Sequence, residues 1–264
     1  MINIKALDKK IALITGGGQG LGETIGRTLA KEGVTVILGD IQGEKVKKVA
    51  DEIRKNGEKA EGIILDVTRQ ESIEKTVDTI IQKHGTIDIL INNAGLDYTK
   101  PIEKFTVEEF DQELGVNLRG PFLLCKKIVP YMYKQRQGHI INIGSTAATT
   151  AWEFTTAYHT TKWGLRGLTY GLYTEAKWHN VKVTFLIPGG MNTAHNTERN
   201  PGSNWSWLQP PENVADAVAF ILKLPGVTAV PEIMITPLAD WSLFPQSDKI
   251  QKPLYQGGEL PEEN

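Results

Sequence analysis

Ser145, Tyr158 and Lys162 are spaced as S-x12-Y-x3-K. That spacing could move a proton onto or off an oxygen. Hydride transfer to a carbonyl leaves an alkoxide that needs a proton, and the reverse reaction needs a base. A tyrosine hydroxyl serves both if its pKa is moved toward neutrality. Free tyrosine titrates near 10, so only about 0.1% is ionised at pH 7. Lys162 follows Tyr158 by one helical turn and shares its face. An ammonium about 4 Å from a phenolate is worth roughly 4 kcal/mol at an effective dielectric near 20, about three pKa units. Ser145 follows an apolar run, 139–143, where a hydroxyl could hold the substrate oxygen. Taken singly, a serine there more often caps a turn, and a Tyr/Lys pair more often lies on a surface.

Such chemistry needs a hydride carrier, and the N-terminal part of the chain suggests one. The apolar run 11–15 leads directly into Gly16-Gly-Gly-Gln19-Gly20-Leu21-Gly22 and then into a helical pattern. Glycine lets backbone approach a pyrophosphate, and the following helix offers free N–H groups and a positive dipole end. The spacing is G-x3-G-x-G rather than the general G-x-G-x-x-G fingerprint. Asp40 ends the next apolar run, where an acid can bond the adenosine ribose hydroxyls. In NADP a phosphate occupies one of those oxygens, so Asp40 points to NAD. The neighbours Gly39, Ile41 and Gln42 are uncharged.

These residues need a scaffold that places them together. Strand-like runs occur at 11–15, 34–39, 60–66, 87–91, 139–143, 181–187 and 232–236, several of them continuous Ile/Val/Leu. Such runs suit strands buried on both faces of a parallel sheet. Helical periods lie between them. Val46, Val49 and Ile53 fall on one face of 44–55, and Ile73, Val77 and Ile80 on one face of 71–83. Gly33, Gly57 and Gly85 sit where left-handed helix caps are expected, and Thr106 with Glu109 forms a capping-box pattern. The β-α alternation implies right-handed crossovers: a single-domain Rossmann fold, doubly wound, with seven parallel strands. The expected catalytic domain spans 1–244. Residues 195–212 read as a loop with a short helix at most. The tail 245–264 has no core-forming period and is expected to be mobile or to contact another subunit.

The 264 residues suffice for a large core, and a net charge of -2 suggests neither a nucleic-acid nor an anionic-membrane partner. The single cysteine, Cys125, forbids an intrachain disulfide and fits a cytoplasmic setting. No His/Cys pattern suggests a metal.

From the T-G-x3-G-x-G loop onward the chain resembles the short-chain dehydrogenase/reductase family. Asn92-Asn93-Ala94-Gly95 looks like the family's N-N-A-G, and Asp66-Val67 like its adenine-contacting pair. Ser145, Tyr158 and Lys162 match its catalytic residues, and Pro188-Gly189-x3-Thr193 its P-G-x3-T. The resemblance covers roughly residues 5–240. It implies that Asn117 joins Ser145, Tyr158 and Lys162 in catalysis, as part of a proton relay. It implies that Gly16, Gln19, Gly20, Leu21, Gly22, Asp40, Ile41, Asp66, Val67, Asn93, Ala94, Gly95, Tyr158, Lys162, Pro188, Gly189, Met191 and Thr193 hold the cofactor. Around the last strand the chain lacks the glycine pair of common members and is similar to a subgroup ending in E-I-x-I-x-P.

Substrate contacts are expected from Asp97, Tyr98, Trp152, Glu153 and His195 beside Ser145, and from Trp205 and Trp207, which could equally pin the loop. His195 and His159 read as hydrogen-bonding bystanders rather than catalysts. The 190–210 loop is short, which suits a small or mid-sized substrate. Helix 156–179 carries Trp163, Leu165, Leu168, Tyr170, Leu172, Tyr173 and Trp178, more apolar surface than one core-facing stripe needs, so a homo-oligomer is expected. The expected activity is NAD-dependent interconversion of a secondary alcohol and a carbonyl. A 3-oxoacyl-thioester reductase would prefer NADPH, which Asp40 opposes. A non-catalytic cofactor-binding regulator should lack one of Asn117, Ser145, Tyr158 and Lys162, and all four are present. A related epimerase or dehydratase would have a longer C-terminus and another glycine spacing.

Overall fold

The computed structural model describes residues 7–193 and 208–238. Seven strands, β1 (Ile11–Thr15), β2 (Thr35–Asp40), β3 (Ala60–Ile64), β4 (Ile89–Asn92), β5 (Gly138–Ile143), β6 (Val181–Pro188) and β7 (Glu232–Ile235), form one sheet. Their order is β3-β2-β1-β4-β5-β6-β7 and every pairing is parallel. Chain direction across the sheet reverses between β1 and β4, and a crevice opens beyond their carboxyl ends.

Local chemistry sets where the elements stop. β3 ends two residues before Asp66, because the Asp66 carboxylate accepts from Thr68 N–H at 2.9 Å and from its hydroxyl at 2.6 Å, folding the chain into a turn. β4 starts later than its apolar run, since the preceding Asp88 carboxylate accepts from Ile11 N–H at 3.0 Å and Lys10 Nζ at 2.9 Å. The three expected capping glycines have φ of +84° (Gly33), +91° (Gly57) and +77° (Gly85).

Helices cover both faces. On one side α1 (Gly20–Lys31), α2 (Gly43–Lys55) and α7 (Pro211–Lys223) bury Ile25, Leu29, Val46, Ile53, Val214 and Val218. On the other, α3 (Gln70–His84) and α5 (Gly120–Gln135) bury Ile73, Val77, Leu124, Ile128 and Met132. α6 (Thr156–Ala176) packs Leu165 against Phe185 and Ile187 of β6. The helix expected over 156–179 stops at Ala176 and finishes in a single tight turn, Lys177–His179, that ends at Asn180 with φ 58°. α7 begins inside the stretch read as a loop. Pro211 at its first position loses nothing, because that N–H has no partner within a helix.

Thr106 and Glu109 close the expected capping box at the start of α4 (Val107–Leu114). Between α4 and α5 the helix widens into a π turn, Gly115–Arg119, centred on Asn117. Such turns are rare and cluster at functional sites. No described helix is long and apolar enough to cross a membrane.

Candidate active site

The crevice beyond β1, β2, β4 and β5 is an open cleft of about 1000 Å³. The end expected to hold a nucleotide is made largely by backbone. Gly16 and Gly20 have φ of +66° and +59°, which side-chain-bearing residues rarely adopt. A Cβ on Gly22 would lie 2.2 Å from the Gly16 carbonyl oxygen, so this glycine lets α1 fold back onto the turn. Gly22 itself does not line the cleft; Gly16, Gln19, Gly20 and Leu21 do. The loop is fixed to β4 by Thr15. Its hydroxyl accepts from the N–H groups of Asn93 and Ala94, both at 3.0 Å. The Asn93 amide donates to the carbonyls of Thr15 at 2.9 Å and Gly16 at 3.3 Å. Asn93 thus braces the turn while also lining the cleft.

Asp40 is buried at the end of β2. Its carboxylate accepts from Gly18 N–H at 3.0 Å and Gln42 N–H at 2.9 Å, and it reaches the cleft wall. The uncharged sequence neighbours of Asp40 do not describe its whole setting. Lys45, on the first turn of α2, donates from Nζ to Gln19 Oε1 at 2.8 Å. Gln19 lines the cleft, so its bond to Lys45 sets a cation at the cleft's edge. Sequence proximity hid it: one helical turn brings residue 45 back over residues 18–19. Ile41, Asp66, Val67, Ala94, Gly95, Pro188, Gly189, Met191 and Thr193 all line the cleft.

The other end is made by side chains from distant elements. Ser145 leaves the end of β5, half-buried, its hydroxyl oxygen accepting from Ala147 N–H at 3.2 Å. Tyr158 and Lys162 project from the first turns of α6, and Lys162 Nζ lies 5.4 Å from the Tyr158 ring centroid. Lys162 is buried and donates to the Ile143 carbonyl at 3.0 Å. Burial lowers the pKa of this lysine to about 8, while the negative charges of Asp97 and then Glu113 act to raise it. The lysine therefore serves as a cation less freely than its unperturbed value suggests.

Asn117 does not line the cleft. Its buried amide clamps Leu96, accepting from Leu96 N–H at 2.8 Å and donating to Leu96 O at 2.6 Å, and also donates to Thr161 Oγ1 at 3.1 Å. It ties the loop after β4 to the helix that carries Lys162. One turn earlier Glu113, fully buried, accepts from Tyr98 N–H at 3.1 Å. Sequence reasoning missed Glu113. Its signal, a four-residue spacing to Asn117, is ordinary in any helix.

Of the expected substrate contacts, Asp97, Tyr98 and Trp152 line the cleft. Glu153 is exposed outside it. His195, Trp205 and Trp207 lie outside the described residues. His159 is a bystander with a job. Its Nδ1 sits 2.8 Å from the Ala147 carbonyl and its Nε2 accepts from Trp152 N–H at 3.1 Å, which fixes the Nδ1–H tautomer and pins the Trp152 loop. The indole packs edge-on to that imidazole at 4.7 Å. Cys125 is buried among apolar groups, which push its thiol up to about 12, far from reactive.

The chain is similar to known proteins in sequence and fold. A family model described as short chain dehydrogenase matches residues 10–204. An uncharacterised oxidoreductase of Bacillus subtilis is 35% identical over 243 residues, 91% of this chain and 92% of its own. One from Staphylococcus aureus is 34% identical over 232 residues, 88% of this chain and 99% of its own. Among solved structures, a metagenomic short-chain oxidoreductase in complex with NADP superimposes with a TM-score of 0.79 at 30% identity, covering 88% of this chain and 99% of that one. An alcohol dehydrogenase from the archaeon Thermococcus sibiricus, complexed with 5-hydroxy-NADP, gives 0.80 at 29%, covering 87% and 97%. A 3-ketoacyl-(acyl-carrier-protein) reductase from Brucella melitensis, complexed with NADH, gives 0.79 at 28%, covering 87% and 97%. The chain belongs to the short-chain dehydrogenase family and is an oxidoreductase.

Proposed function

We propose that this protein interconverts a secondary alcohol and a carbonyl using NAD(H), with Tyr158 as acid/base. The observation that carries the reading is the buried Lys162 ammonium 5.4 Å from the Tyr158 ring, with Ser145 on the same cleft wall. The glycine turn, the start of α1 and the buried Asp40 carboxylate fit a dinucleotide: N–H groups for a pyrophosphate and an acceptor for ribose hydroxyls. When bound, the nicotinamide ring supplies or accepts the hydride. Ser145 would donate to the substrate oxygen and hold it in place. Tyr158 would give that oxygen its proton in reduction and remove it in oxidation. Lys162 would favour the phenolate by its charge, and Asn117 would position the pair by holding Leu96 and Thr161.

Asp40 supports NAD over NADP. A 2′-phosphate about 5 Å from this carboxylate would be repelled by several kcal/mol at an effective dielectric near 20, before screening. Lys45 at the cleft's edge softens that discrimination. Comparing kcat/KM with both cofactors over a panel of secondary alcohols tests the reading. An NADP preference would overturn the cofactor assignment, and turnover surviving Tyr158→Phe would overturn the acid/base.

We also assign the catalytic unit to residues 1–244 and the protein to the cytoplasm, with the 245–264 tail, which lies outside the described residues, as a mobile or inter-subunit segment. A homo-oligomer is part of the proposal. Trp163 and Tyr170 on α6 and Phe122 on α5 are 49%, 40% and 47% exposed, and a contact between copies would take these aromatic groups out of water. A monomeric mass by light scattering at micromolar concentration would refute it.

A further inference from the structure

The substrate wall differs chemically from the nucleotide wall, and it narrows what the site would accept. Asp97 sits at the carboxyl end of β4, half-buried, on a loop held from beneath by two side chains of one helix. Asn117 grips Leu96 by both its N–H and its carbonyl, and Glu113 grips Tyr98 N–H at 3.1 Å. Residues on either side of Asp97 are thus fixed by backbone bonds, so the residue is held at a set place in the cleft wall, with its carboxylate oxygen Oδ1 buried. Tyr98 and Gln112 continue the same wall, joined by a 2.7 Å bond from the phenol to Gln112 Oε1. Trp152 adds an aromatic group, its backbone pinned by His159.

We propose, resting on the alcohol/carbonyl activity above, that Asp97 is a specificity-determining residue that selects neutral substrates bearing several hydroxyl groups, of the polyol or sugar class, and rejects anionic hydroxy acids. A carboxylate accepts hydrogen bonds and donates none, so it rewards a ligand rich in O–H donors. An anionic ligand would meet the Asp97 charge in the same cleft. The Lys162 ammonium in the same cleft offsets part of the Asp97 charge, consistent with the influence of that carboxylate on the lysine. The wall is therefore a weak attractor for cationic ligands, while the several lone pairs of a carboxylate leave Asp97 acceptor capacity for a ligand hydroxyl. An amide, a phenol and an indole complete a lining suited to a neutral, polar-edged ring or chain.

The test uses the full chain saturated with NADH and four ligands: a neutral six-carbon polyol, cyclohexanol, a short hydroxy acid and an amino alcohol. Binding is measured by calorimetry, and NAD-linked turnover is measured separately. The polyol should have the highest kcat/KM of the four. A hydrogen bond to a charged acceptor is worth roughly a 10- to 100-fold effect. Asp97→Leu should therefore lower the polyol-to-cyclohexanol ratio of kcat/KM by about that factor, with Asp97→Asn falling between. The hydroxy acid should bind more tightly to both variants than to wild type. An unchanged ratio in folded Asp97→Leu overturns the proposal. So does a wild type that prefers the hydroxy acid or the amino alcohol. If Asp97→Leu fails to fold, Asp97→Asn and the wild-type ranking decide the matter. Cyclohexanol turnover without polyol turnover or binding sinks this inference alone. NADH binding with no turnover of any of the four sinks the activity reading as well.

Discussion

The two ends of the cleft are built by different means. At the end expected to hold the nucleotide, one contiguous turn contributes Gly16, Gln19, Gly20 and Leu21, shaped by its backbone, beside side chains such as Asp40 and Asp66. At the substrate end, Ser145 comes from β5, Tyr158 and Lys162 from α6, Asp97 from the loop after β4, and their supports from α4 and the π turn. A backbone surface tolerates side-chain change wherever glycine is kept. A side-chain surface can be retuned one residue at a time. Mutations at the two ends should therefore fail in different ways.

The sharpest contrast comes from Tyr158→Phe. It keeps the ring and removes only the hydroxyl, so turnover should fall by about 10²–10⁴-fold while NADH affinity, read by fluorescence titration, stays within a few-fold. A matching loss of cofactor affinity would mean that the two ends are not separable. Next is Asp40→Ala. If about 2–3 kcal/mol of repulsion survives screening, the wild-type preference for NAD is roughly 30- to 150-fold, and the variant should lose most of it. An unchanged cofactor ratio would show that this carboxylate only supports the N–H groups of Gly18 and Gln42.

Gly22→Ala probes the backbone end directly. The added methyl would meet the Gly16 carbonyl at 2.2 Å, so the turn must open. Overpacking of this kind costs about 1–3 kcal/mol, or some 2–10 °C in Tm for a chain of this size. NADH affinity should fall with it, and normal affinity would show that the turn has slack. A smaller effect is expected from Lys45→Ala. Removing that cation leaves Asp40 less opposed, so the NAD preference should rise by a few-fold, as measured by the ratio of kcat/KM for the two cofactors. A fall would place Lys45 against NAD itself.

The gentlest test is titration. Lys162 should lose its proton near pH 8 in the cofactor-free protein, well below an exposed lysine, because burial disfavours the charge. Between that value and the unfolded pKa near 10.5, the unfolded chain binds a proton that the native chain does not. Stability should therefore gain from this group as pH rises through that window, and the gain should vanish in Lys162→Met. Asp97→Asn should move the lysine midpoint lower still, since that carboxylate acts to raise it. Competitive lysine labelling against pH reads the midpoint.

Much of this could be read from the chain alone. The seven strands, the glycine turn and the order Ser145, Tyr158, Lys162 follow from short-range rules: apolar runs for buried strands, glycine where φ is positive, and four-residue spacing on a helix. Boundaries were less legible. Asp66 and Asp88 end or delay strands through bonds to backbone that no apolar pattern reveals. The burial of Lys162, the placement of Lys45 over the loop, the clamp of Glu113 and Asn117 on residues 96–98, and the pinning of Trp152 by His159 were decided only by tertiary structure. Each depends on the distance between groups far apart in the chain or on their removal from water. Sequence spacing fixes neighbours along one element, whereas charge strength and hydrogen-bond partners are set by whatever the packed sheet and helices bring from elsewhere.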